Sequence, residues 1–253
     1  MKVDEQTLID IVMEAGKAIM KIYNDPVNSD VIDYKTDDSP LTLADKASHE
    51  VIESKLKTRY PSIPIISEES TDNIDYSIRK EFTQYWLVDP LDGTKEFINR
   101  NGEFTVNIAL IEDKTPIAGF IYVPVKDIVY YGIKDKAYKV DGVKISELKV
   151  NHSTGDRIAV RSKSHPSPEE EVVLEKYHVI DSISVGSSLK FCMVAEGKAD
   201  VYYRFGPTME WDTAAGQAIL MAAGGKVFKE TGPEEFMYNK ENLLNGSFLG
   251  LGF

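Results

Sequence analysis

Asp89 and Asp92 stand three residues apart in the stretch Trp86-Leu87-Val88-Asp89-Pro90-Leu91-Asp92-Gly93-Thr94. The apolar run from Tyr85 to Val88 reads as a buried strand that delivers Asp89 at its end. Pro90 has no N–H, so the ladder is expected to stop there. Gly93 permits a tight turn. Two carboxylates held this close repel unless a cation sits between them or one takes a proton. Hard oxygen donors suit Mg²⁺. The competing reading is an Asp-rich turn whose side chains cap backbone N–H groups.

Other acidic residues recur at similar junctions. The strand predicted over Ile63–Ile66 runs into Ser67-Glu68-Glu69-Ser70. Asp45 opens a predicted helix, where it either complements the helix dipole or reaches a neighbouring site. Asp212 precedes Thr213-Ala214-Ala215-Gly216, so it is either an ordinary N-cap or a further carboxylate for the same cluster. Ser187 and Ser188 stand at a predicted helix start with Lys190 just inside. That arrangement suits a phosphate or, more plainly, a serine cap beside a solvated lysine. His165 lies in a polar loop. Cys192, the single cysteine, lies in the apolar segment Phe191-Cys192-Met193-Val194-Ala195 and reads as core.

Composition narrows the field. The chain has 253 residues, 42% hydrophobic and 28% charged, which fits an ordinary globular fold and not a disordered one. One cysteine allows no internal disulfide, which suits a reducing cytoplasm. No apolar leader and no membrane-spanning run is apparent. A cytoplasmic location is therefore expected, with peripheral association at the inner membrane face left open. A net charge of −12 argues against a nucleic-acid polymer as partner. A small anion remains compatible if metal ions or a local basic pocket offset the repulsion. Monomer and homodimer are both left open.

These side chains need a scaffold. Apolar Leu8, Ile11, Val12, Ala15, Ile19 and Ile22 form one stripe of a helix over residues 4–23, with Asp4 as its N-cap. A short strand near Asp30–Lys35 precedes a second helix over Thr42–Arg59. Residues 71–84 read as a polar connection with one helical turn. Strands over Phe104–Ile111, Ile117–Tyr122 and Val129–Gly132, then shorter ones to Val150, make a largely antiparallel sheet. After residue 150 strands and helices alternate, which points to an α/β layer. Two halves are expected, 1–150 carrying most of the acidic cluster and 151–253 carrying Asp212 and the basic pocket.

Taken jointly, three motifs resemble the lithium-sensitive, Mg²⁺-dependent superfamily of inositol monophosphatase and fructose-bisphosphatase. They are Glu68-Glu69-Ser70, Asp89-Pro90-Leu91-Asp92-Gly93-Thr94 and Trp211-Asp212-Thr213-Ala214-Ala215-Gly216. Further segments resemble its CysQ-type 3′(2′),5′-bisphosphate nucleotidase branch. These are Asp38-Ser39-Pro40-Leu41-Thr42-Leu43-Ala44-Asp45, Lys95-Glu96-Phe97, Val185-Gly186-Ser187-Ser188-Leu189-Lys190-Phe191-Cys192 and Tyr203-Arg204-Phe205-Gly206-Pro207-Thr208. The resemblance implies an α/β fold, a five-layered αβαβα sandwich.

It also implies roles. Glu68, Asp89 and the Leu91 carbonyl would hold one Mg²⁺. Asp89, Asp92 and Asp212 would hold a second, and Glu68 would reach a third through water. Glu69 would stand behind the ligands. Asp45 and Thr94 would orient and deprotonate the attacking water. Ser187, Lys190 and Arg204 would hold the 5′-phosphate of adenosine 3′,5′-bisphosphate, His165 would lie against the adenine, and Asp212 would border the substrate. Such an enzyme would release AMP and phosphate and clear a by-product of sulfate assimilation. Two ions roughly 3.5–4 Å apart can support both oxygens of an in-line displacement, while N–H groups around Gly93 and Thr94 cradle the phosphate. An inositol monophosphatase would share every metal ligand. It has less use for the Ser-Ser-x-Lys segment and Arg204. A fructose-1,6-bisphosphatase fits the length and later motifs less well. A non-catalytic relative would be expected to have lost a ligand, yet all are present.

Overall fold

The computed structural model describes residues 3–25, 32–34, 40–70, 74–152, 154–161 and 168–253. In chain order they form α1 (Glu5–Tyr23), β1 (Ile32–Tyr34), β2 (Pro40–Thr42), α2 (Leu43–Arg59), β3 (Ile65–Ser67), α3 (Tyr76–Arg79), β4 (Gln84–Asp92) and α4 (Thr94–Ile98). Then come β5 (Thr105–Glu112), β6 (Thr115–Val123), β7 (Ile128–Ile133), β8 (Lys136–Asp141) and β9 (Lys144–Leu148). The remainder is β10 (Arg157–Arg161), α5 (Pro168–Lys176), β11 (Val179–Ser184), α6 (Leu189–Ala195), β12 (Val201–Arg204), β13 (Thr208–Met209), α7 (Glu210–Ala222), β14 (Lys226–Lys229), β15 (Leu244–Asn245) and β16 (Phe248–Leu251).

The larger sheet has the order β3-β4-β5-β6-β7-β8-β9. Only β3 and β4 are parallel; the other pairs are antiparallel. Both faces of β4 are covered, and side chains alternate between them as the period of two requires. Trp86 and Val88 join α1 and α2 in one core, while Tyr85 and Leu87 join α6 and α7 in another. The smaller sheet, β11-β10-β12-β16-β14, packs on the far side of α6 and α7. A third core of Ala159, Val173, Leu174 and Val201 places α5 on its outer face. The layers therefore run α1/α2, large sheet, α6/α7, small sheet, α5. This is the five-layered αβαβα sandwich.

α7 lies unusually close to the large sheet. A Cβ on Gly119 would stand 2.3 Å from the Ala215 carbonyl oxygen, and one on Gly132 2.7 Å from the Ile219 Cα. Backbone cannot yield as a side chain tip can. Gly119→Ala is therefore expected to cost about 1–3 kcal/mol through overpacking, read as a lower urea midpoint. It should also displace α7, whose first turn carries Asp212.

Two local expectations change. The ladder does not end at Pro90. Pairing passes from Asp89–Asn107 to Asp92–Thr105, so β4 uses three steps where β5 uses two. Pro90 is absorbed by this bulge, where a missing N–H is tolerated. α7 begins at Glu210, three residues before Thr213. Asp212 is thus not the N-cap. It occupies the third helical position and reaches back to accept from the Met209 N–H at 2.8 Å.

Candidate active site

The bulge has a direct consequence for Asp89 and Asp92. In a regular strand, residues three apart point to opposite faces. One inserted residue restores a common face. Asp89 lies opposite Asn107 and Asp92 opposite Thr105, so all four face the α6/α7 layer. That layer brings Asp212. β3 brings Glu68, whose N–H donates to the Val88 carbonyl at 3.1 Å beside Asp89. α2 brings Asp45, and a buried Ser48 hydroxyl ties α2 to the Pro90 carbonyl at 2.7 Å.

The acids burden one another. Asp89 is 1% exposed. Burial, then Glu68, Asp92, Asp212 and Asp45, push its carboxyl well above the usual range. Burial likewise raises Asp212, followed by Asp92 and Glu68, while the Met209 N–H and Arg204 pull the other way. Asp45 is pushed up to about 6, first by burial and also by Glu69 and Glu68, against the hydrogen bonds from Thr42.

Protein donors occupy one oxygen of several of these acids. Asp45 Oδ2 accepts from the Thr42 N–H at 2.7 Å and the Thr42 hydroxyl at 2.5 Å, which closes the capping box of α2. Its Oδ1 lies 3.3 Å from the donating hydroxyl of Thr94, itself 3.4 Å from the Leu91 carbonyl. Asp89 Oδ1 accepts from the Leu91 N–H at 3.1 Å. Gly93 takes φ +89°, a left-handed conformation, and starts α4.

The acids share one anionic region, in which each raises its neighbours. Among the described residues, no three acidic, histidine or cysteine side chains close on a single point as a finished metal cage. The donor set nevertheless fits a hard divalent cation. It offers only oxygens, and the mutual repulsion raising Asp89 and Asp212 is what a cation would relieve.

Next to the acids lies a cavity of about 200 Å³. Its lining includes Asp92, Gly93, Ser187 and Asp212 together with Lys190 and Arg204. Lys190 is 7% exposed and donates to the Ser187 carbonyl at 2.7 Å. Burial lowers its ammonium to about 8, with Asp92 opposing and Arg204 adding to the drop. Arg204 donates through Nε to the Gly206 carbonyl at 3.2 Å, which sets its guanidinium at the rim.

Ser187 and Ser188 act differently from the sequence expectation. Ser187 has φ +52°, and α6 starts only at Leu189. Both hydroxyls turn onto Asp92 Oδ2, at 2.7 and 2.5 Å, while the Ser188 N–H donates to the same oxygen at 2.7 Å. Ser187 thus borders the cavity while its hydroxyl serves a carboxylate. Thr105 and Asn107 are not legible as site residues, because their partners Ser187 and Ser188 lie far away in sequence, whereas Thr42 pairs locally with Asp45 three residues on. His165 lies outside the described residues.

An inositol monophosphatase family model matches residues 2–249. The chain is 44% identical to the 3′(2′),5′-bisphosphate nucleotidase CysQ of Salmonella typhimurium, covering 96% of this chain and 97% of that protein. It superposes on the crystal structure of CysQ from Bacteroides thetaiotaomicron with a TM-score of 0.86 at 43% identity, over 98% and 96% of the two chains. The extragenic suppressor protein suhB from Bartonella henselae shares the fold, with a TM-score of 0.78 at 23% identity, over 98% of this chain and 93% of that one.

Proposed function

The chain belongs to the inositol monophosphatase family, and from that premise we propose a metal-dependent phosphatase that removes the 3′-phosphate of adenosine 3′,5′-bisphosphate, giving AMP and phosphate. It is a 3′(2′),5′-bisphosphate nucleotidase, as its relatives are named. One observation supports the bisphosphate most directly. A single cavity is lined both by the carboxylates Asp92 and Asp212 and by the cations Lys190 and Arg204. The carboxylates, with a bound cation, suit the phosphate being cleaved. A buried ammonium and a guanidinium suit a second phosphate that stays attached.

Glu68, Asp89, Asp92, Asp212 and the Leu91 carbonyl would hold two to three Mg²⁺. Those ions would supply charge neutralisation of the phosphoryl oxygens and acidify the attacking water. The chain's own part is positioning and proton handling. The Thr94 hydroxyl orients the water and takes its proton while passing its own to Asp45 Oδ1, 3.3 Å away. A carboxylate raised to about 6 is a better base near neutral pH than a solvated one. Lys190 and Arg204 anchor the 5′-phosphate. No described helix is long and apolar enough to cross a membrane.

A phosphate-release panel tests this reading. Under Mg²⁺, adenosine 3′,5′-bisphosphate should be turned over far more efficiently than inositol 1-phosphate or fructose 1,6-bisphosphate. Preference for inositol 1-phosphate would move the assignment to the monophosphatase branch.

The pH dependence of KM adds a second check. The free ammonium of Lys190 titrates at about 8. A bound phosphate dianion raises that value, so binding takes up a proton above pH 8 and weakens as pH rises. KM for the bisphosphate should be flat between about pH 7, where the phosphate is already a dianion, and about pH 8, and climb toward tenfold per unit above it. In Lys190→Met that inflection should vanish.

A further inference from the structure

Asn107 is 1% exposed on β5 and touches neither the cavity nor the water-handling pair. Its carbonyl oxygen accepts from the Thr105 hydroxyl at 2.9 Å, which fixes the orientation of its amide. Its Nδ2 donates to the Ser188 hydroxyl oxygen at 2.8 Å and lies 3.3 Å from Asp92 Oδ2. Turned over, the amide would set its oxygen against that carboxylate. With a lone pair engaged by Asn107, the Ser188 hydroxyl has one proton for two acceptors, Asp92 Oδ2 at 2.5 Å and the Asp212 carbonyl at 2.9 Å, and the shorter contact is the one to Asp92. The Ser187 hydroxyl and the Ser188 N–H reach the same atom, each at 2.7 Å.

One oxygen of Asp92 is thus crowded with short donors from the protein. Donors that crowd this oxygen compete with a metal for its lone pairs. We propose that the Asn107–Ser188 relay locks Asp92 as a one-oxygen ligand and thereby biases the ion site toward Mg²⁺ and against Ca²⁺. This rests on the reading of Asp92 as a metal ligand given above. The chemistry is direct. Mg²⁺ takes six oxygens in a tight octahedron, whereas Ca²⁺ takes six to eight and gains from carboxylates that bind through both oxygens. Releasing Asp92 Oδ2 lets the carboxylate turn and offer both. Asn107 is then a positioning residue for ion selectivity, one side chain behind the cavity lining.

Calorimetric titration of the metal-free protein with MgCl₂ and, separately, with CaCl₂ tests this without any turnover. Asn107→Ala and Ser188→Ala should each shift the ratio of the two affinities toward Ca²⁺ by ~10-fold. A merely structural defect would weaken both ions alike and leave the ratio alone. Ser188→Ala removes one oxygen from a loop, so it carries the test should Asn107→Ala fail to fold in a thermal scan. An unchanged ratio in Ser188→Ala, with Asp92→Asn removing one Mg²⁺ from the titration, overturns the relay while leaving Asp92 as a ligand. Unchanged Mg²⁺ binding in Asp92→Asn would instead remove Asp92 from the ion site, and the proposal with it.

Discussion

Asp89→Asn is expected to lower Mg²⁺-dependent phosphate release by ~10³-fold or more, while the metal-free protein becomes harder to unfold. The loss follows from its place. Asp89 is the most enclosed acid of the cluster and faces Glu68, Asp92, Asp212 and Asp45 together. Preorganised charge at a reacting centre is commonly worth ~10²–10³ per group, and a ligand shared between two ions would count twice. The gain in stability comes from the same crowding. A carboxylate whose folded pKa is raised binds more protons folded than unfolded. Stability is therefore lost as pH climbs from about 4, the unfolded value, through the raised folded one. Metal-free protein at neutral pH carries that penalty, and a neutral amide of the same shape removes it. The melting temperature in chelator should rise by several degrees, and added Mg²⁺ should no longer raise it much further. A variant that melts lower in chelator, or still turns over substrate at the wild-type rate, would refute the clustered-acid account.

Lys190→Met should separate bisphosphate from monophosphate substrates. The change keeps the aliphatic stem and removes a buried ammonium that lies beside Asp92 and Arg204. A charge-assisted contact is worth up to about 3 kcal/mol, so kcat/KM for adenosine 3′,5′-bisphosphate should fall roughly 10²-fold. For inositol 1-phosphate, which has no second phosphate, the fall should stay within about threefold on the same argument. The measurement is the ratio of the two kcat/KM values. The ammonium also donates to the Ser187 carbonyl at 2.7 Å, so some loss shared by both substrates is anticipated. Equal losses would mean that Lys190 only shapes the loop. The contrast with Asp89→Asn is instructive, because that change should affect every substrate alike.

The elements that place these groups were largely readable from the chain. The apolar stripe of α1, the continuous apolar run of β4 and the change of rhythm after β9 each follow from local patterning, which depends on neighbours in sequence. The acidic motifs could also be read, because strand-to-loop junctions rich in Asp and Glu are legible one at a time. Their convergence was implied by a family resemblance and not by spacing.

Only the tertiary structure decided three things. The bulge at Pro90 turns Asp89 and Asp92 to one face, and a bulge exists only relative to a partner strand. Asp212 sits inside α7 because the chain before it is extended and already paired, so the helix starts earlier than its alanines suggest. Ser187 and Ser188 serve Asp92, held by an asparagine some eighty residues away. A sequence specifies which groups can ionise, donate or pack, since those are properties of single side chains. Which oxygen of a carboxylate stays open is a property of its neighbours in space, and those neighbours meet only when the layers close.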